Sequence, residues 1–117
     1  MDSVNLGNYK NLYLKTAKEY IEKISISLDQ LSSDILNKEA LNNLHIASHS
    51  LKSQSQMMGY ADIANICLNI EKTSNDRLKG ISQLNIQAIS DIKKSVEKLQ
   101  EMLKQVEDTP RGIQHDI

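Results

Sequence analysis

From Ile89 to Val106 the apolar residues Ile89, Ile92, Val96, Leu99, Leu103 and Val106 return at alternating spacings of three and four, the period of an α-helix with one buried stripe. Such a helix must lay its stripe on another surface, so this segment commits the chain to a fold in which other elements cover it. The same rhythm runs through residues 8–31, where Tyr9, Tyr13, Ala17, Tyr20, Ile21, Ile24, Leu28 and Leu31 share one side. A second helix is expected from Asn37 to Met58, with Asn37 as N-cap and Glu39 near its positive end. Gly59 can take the left-handed conformation that closes it. A third helix, opened by Asp62, carries Ile63, Ile66, Cys67 and Ile70. Residues 73–80, broken by Asn75, Asp76 and Gly80, read as a connection.

The chain has four tyrosines and neither phenylalanine nor tryptophan, so its core must come from aliphatic side chains at helical spacing, not from a sheet rich in aromatic and β-branched pairs. Its 117 residues suit one domain, burying about 65% of the surface of the unfolded chain. The expected architecture is therefore all-α, an antiparallel four-helix bundle over residues 1–107, with room for one short additional helix near residues 3–7. Residues 108–117, with Pro110 and Gly112 and no periodicity, are expected to form a mobile tail.

Charge narrows the partners. Fourteen basic and fifteen acidic residues give a net charge of -1 without a basic block, so nucleic-acid binding is not expected. No segment is apolar enough to insert in a membrane. A lone cysteine, Cys67, and no apolar leader fit a reducing, cytoplasmic setting.

The second helix carries the chemistry. At roughly 100° per residue, Leu41, Leu44, Ser48, Leu51, Ser55 and Met58 gather on one side, while His45, His49, Lys52, Ser53 and Gln56 gather on the other. An exposed imidazole can attack an electron-poor phosphorus, and the transferred group's anionic oxygens need cationic or hydrogen-bonding partners. Lys52 and Gln56 rise along the face of His49 and are candidates for that role. Small neighbours, Ser48, Ser50 and Ser53, leave the approach open, and His45, Ile46, Ser53 and Met57 form a candidate docking rim. His45 and His49 stand in the i, i+4 arrangement that can hold zinc, but Ile46 occupies the place of the glutamate in a His-Glu-x-x-His site, and no metal is expected.

His49, Leu51, Lys52 and Gly59 resemble the accepting helix of the histidine phosphotransfer domains, His-x-Leu-Lys-Gly with a glycine ten positions after the histidine. The similarity continues through Met58, Tyr60, Ala64, Leu68 and Glu71, spans residues 9–106, and looks closest to the amino-terminal phosphoacceptor domain of chemotaxis-type histidine kinases. The resemblance implies that His49 is the phosphoacceptor, that Glu71 orients and activates its ring, and that a histidine kinase and a response-regulator receiver domain are the partners. Two positions depart from the pattern. Ser53 replaces the glycine after the lysine, and Leu68 stands where a second histidine often sits.

The expected function is thus a phosphocarrier, not an enzyme. It takes a phosphoryl group on His49 and passes it to a receiver aspartate, without a cofactor of its own and as a monomer. No nucleotide-binding loop is present, so kinase machinery must belong to partners. The rival reading, favoured by Ser53, is a helical adaptor that docks a receiver or kinase without carrying phosphate.

Overall fold

The computed structural model describes residues 3–109, with side chains from residue 8 onward. Four helices follow one another: α1 (Ser3–Ser33), α2 (Lys38–Met57), α3 (Ala61–Leu78) and α4 (Ile86–Asp108). They form a bundle 48 × 22 × 21 Å across, and among the described residues there is no strand. The core is aliphatic apart from Tyr13, as the lack of phenylalanine and tryptophan requires. Ile24, Leu28 and Leu31 of α1, Leu44 and Leu51 of α2, Ile70 of α3 and Leu99 of α4 are almost wholly removed from water, each contributing about 1.5–3 kcal/mol.

The helix ends follow their capping residues. Asn37 accepts a hydrogen bond from the Ala40 amide at 3.0 Å and opens α2. Asn85 does the same for α4 from Ala88 at 2.7 Å. Gly59, at φ +83°, closes α2 so that the Tyr60 amide returns to the Ser55 carbonyl at 2.8 Å. Gly80, at φ +74°, closes α3 in the same way, with Ile81 returning to Asp76 at 2.8 Å. Asp62 lies in the first turn of α3.

Three expectations need correction. Residues 3–7 form no separate short helix, because α1 is continuous from Ser3; Gly7 inside it costs only about 1 kcal/mol relative to alanine, less than thirty neighbouring helical residues can absorb. The third helix does not stop at residue 73: Thr73–Asp76 are helical, and the connection is residues 79–85. Ser74 is fully buried there, its hydroxyl donating to the Ile70 carbonyl at 3.0 Å, so tertiary burial overrides the weak helix propensity of the segment. Finally, α4 includes Asp108, one residue into the expected tail, and Lys10 donates to the Thr109 carbonyl at 2.6 Å. Residues 110–117, the rest of that tail, lie outside the described residues.

Candidate functional site

The short turn at residues 58–60 folds α3 back along α2. Counting out from Gly59 at 1.5 Å per residue, His49 lies about 15 Å up one arm and Glu71 about 18 Å up the other, so the two are level. Glu71 of α3 gathers the site. Its Oε2 lies 2.6 Å from His49 Nδ1, and its Oε1 accepts from Lys52 Nζ at 2.6 Å. The His49 side chain is 55% exposed, whereas Lys52 and Glu71 are 17% and 14% exposed. A ring open to solvent therefore rests on an ion pair that is largely sheltered.

Burial by itself would raise the Glu71 pKa, but the hydrogen bonds and charges of Lys52 and His49 outweigh it and hold the carboxyl below its ordinary 4.5. Glu71 is therefore a carboxylate near neutral pH, able only to accept. Nδ1 of a neutral His49 must then carry the ring proton, and the lone pair sits on Nε2, the nitrogen away from the backbone. A fixed tautomer with an accessible Nε2 is what a phosphorus nucleophile needs.

Lys52, a candidate for stabilising the phosphoryl group or orienting the site, has its ammonium on Glu71 Oε1. Gln56 is exposed on the same face, and Ser53 is half-buried. Ile46 and Met57 are 52% and 86% exposed on α2. His45 is half-buried at the α2–α3 seam, with Nδ1 3.4 Å from both the Glu71 carbonyl and Ser74 Oγ. Ser48, expected to clear the approach, is fully buried and donates to the Leu44 carbonyl at 2.8 Å, so Ser50 and Ser53 are the small residues left on that side.

Behind the ion pair, Cys67 is wholly buried and its thiol is pushed up to about 12, first by burial and then by the charge of Glu71, which makes it an inert core residue. Tyr13 of α1 and Ser55 share a buried 2.8 Å hydrogen bond, and burial raises the Tyr13 phenol to about 12. The Tyr13 and Tyr60 rings pack at a 36° tilt with centroids 5.1 Å apart. The sequence reading missed Ser74 and the Tyr13–Ser55 pair. Ser74 could have been found as the residue one turn after Glu71 on the same side of α3, had that segment been recognised as helical.

A family model describing Hpt domains matches residues 8–109. The chain belongs to the Hpt domain family. That membership places it among the histidine phosphotransfer domains of two-component signalling. Among solved structures, the CheA phosphotransferase domain from Thermotoga maritima superimposes with a TM-score of 0.81 at 20% identity, covering 85% of this chain and 94% of that one. A computationally redesigned four-helix bundle gives 0.80 at 17% identity, covering 85% and 97%. At such identities these two likenesses speak for the fold. Chemotaxis protein CheA of Halobacterium salinarum is 26% identical over 86 residues, 74% of this chain and 12% of the relative. That of Bacillus subtilis is 20% identical over 109 residues, 93% and 16%. The Hpt chain thus spans less than a fifth of the length of either relative. Among the described residues no helix is long and apolar enough to cross a membrane.

Proposed function

We propose that this Hpt domain is a phosphocarrier in which His49 accepts a phosphoryl group on Nε2 and yields it to an aspartate of a receiver domain. The observation that carries the reading is the 2.6 Å pairing of His49 Nδ1 with Glu71, which directs the ring lone pair to the solvent side. In loading, the Nε2 lone pair attacks phosphorus, a P–N bond forms, and the bond to the donor oxygen breaks with its electrons leaving on that oxygen. The ring gains positive charge as it does so, and the adjacent Glu71 carboxylate stabilises it through the Nδ1–H bond. In unloading, a receiver carboxylate attacks phosphorus and the P–N electrons return to Nε2. No proton need leave Nδ1 in either direction.

Lys52 serves this chemistry by keeping Glu71 ionised and in place, and Gln56 stands where a phosphoryl oxygen could be met. Ile46, Ser53 and Met57 provide the docking rim for the partners, a histidine kinase and a receiver domain, whereas His45, expected on that rim, is half-buried against α3. ATP and metal chemistry belong to the kinase and receiver, and the setting is the cytoplasm.

The test is incubation with a phosphorylated receiver domain, or with a histidine kinase catalytic domain and labelled ATP, comparing the parent with His49→Gln. The parent should take up acid-labile, base-stable label and the variant essentially none. Equal label on His49→Gln would reject His49 as acceptor, and an unlabelled parent would leave the adaptor reading in its place.

A further inference from the structure

Glu71 is held from two sides. While its carboxylate meets Lys52 and His49, its backbone carbonyl meets His45, whose Nδ1 is 3.4 Å from Glu71 O and 3.4 Å from Ser74 Oγ. The chemistry of these neighbours sets the direction of the bond. A peptide carbonyl only accepts. The single hydroxyl hydrogen of Ser74 is directed to the carbonyls of Ile70 and Glu71, at 3.0 and 2.9 Å, so toward His45 the serine oxygen offers lone pairs. The ring atom facing both must be an N–H donor, shared between two acceptors in a three-centre bond whose legs are each longer than an undivided one.

We infer that His45 is a positioning residue for the His49 site: through Nδ1–H it pins the α3 backbone at Glu71 and so fixes where the Glu71 carboxylate meets the His49 ring. The inference rests on the phosphocarrier reading of His49. Its physical basis is leverage. The His49–Glu71 contact is short, 2.6 Å, and hydrogen bonds weaken steeply with misalignment, so a small shift of α3 along α2 would loosen the grip that selects the ring tautomer. His45 bonds the same residue one helical turn away, from the same helix as His49. The two histidines thus hold Glu71 by its backbone and by its side chain, and neither contact can slide without moving the other.

A half-buried ring that merely fills space would behave differently, and two substitutions separate the cases. His45→Asn places an amide N–H close to the position of Nδ1, whereas His45→Phe keeps the ring volume and removes the donor. Two readouts are taken on the parent and both variants: nitrogen NMR of the His49 ring at alkaline pH, where imidazoles are neutral, and the initial rate of label transfer from a phosphorylated receiver domain. The expected result is a rate about fivefold lower in His45→Phe, the scale of one modest hydrogen bond, with the His49 ring drifting from the Nδ1–H form toward a mixture of tautomers. His45→Asn should restore both readouts to nearly the parent level. An unchanged tautomer and rate in His45→Phe, or an equal loss in both variants, overturns the inference. If the parent accepts no label, the phosphocarrier reading fails, and the NMR arm still decides whether His45 positions the His49 ring.

Discussion

Along α4 the buried positions are Ile89, Ile92, Val96, Leu99 and Leu103, all aliphatic. On α2 and α3 the buried or half-buried positions include Ser48 and Ser74 together with His45, Lys52 and Glu71. Aliphatic packing is non-directional: it holds α4 against the bundle wherever volume is filled. The α2–α3 seam also carries bonds with direction that cross it, each fixing an atom: Lys52 and His49 on the Glu71 carboxylate, and His45 on the Glu71 carbonyl and Ser74 Oγ. The two seams divide the work. One supplies stability to the scaffold, and the other spends part of that stability on placing an imidazole.

Substitutions can break that division. Leu99 is fully buried on the aliphatic seam, so Leu99→Ala should lower the unfolding free energy by about 3 kcal/mol through lost burial and a residual cavity. Denaturant unfolding measures it. Phosphoryl transfer per folded molecule should stay at the parent level, since the bonds that place His49 run between α2 and α3 and Leu99 lies on α4. A transfer rate falling in step with stability would mean that the site is tuned by the whole core.

Glu71→Gln is the opposite experiment. The amide can still accept from His49 Nδ1–H, but it lacks the charge that stabilises the ring during transfer and turns at least one N–H toward Lys52 or His49. Transfer should slow by about tenfold to hundredfold, the scale of a charge-assisted hydrogen bond. The same carboxylate gives a pH signature. Its folded pKa lies below the ordinary 4.5, so the unfolded chain binds the proton more readily. Its contribution to folding is complete above 4.5 and fades as pH falls through the folded value. Melting temperatures of the parent should therefore drop on the acid side of 4.5 more steeply than those of Glu71→Gln. Parallel curves would show that Glu71 is no better paired folded than unfolded.

The two seams also differ in how far the amino-acid sequence reveals them. The α4 stripe is legible because aliphatic residues at three-and-four spacing admit one structural solution. The ends of α2 are legible because Asn37 and Gly59 each do one local job. The reach of α3 through Ser74 is not, since serine, asparagine and aspartate favour turns unless a neighbouring helix buries and bonds them, and that neighbour lies far away in sequence. Helical phase puts His49 on the polar face of α2, whereas Glu71 enters only through family resemblance, because its partners lie 19 and 22 positions earlier. Helical phase puts Lys52 on that same face, but its pairing with Glu71 depends on the register of two helices. Sequence periodicity gives the side of a helix on which a residue sits; it does not give the atom it meets.

The smallest effect sharpens the same contrast with one chemistry in two settings. Lys18 of α1 and Glu107 of α4 form an ion pair at 3.1 Å with side chains 55% and 49% exposed. The Lys52–Glu71 pair is 17% and 14% exposed. Water screens the first pair, and holding two long side chains together costs entropy, so Lys18→Ala should change stability by no more than about 0.5 kcal/mol. It should leave transfer untouched and lose even its small effect in high salt. The sheltered pair has less solvent to compete with it, and its carboxylate has a second duty on His49. If Lys18→Ala proved as costly as a core truncation, the α1–α4 seam would depend on directed charge as the α2–α3 seam does, and the separation of scaffold from site along the bundle would have to be abandoned.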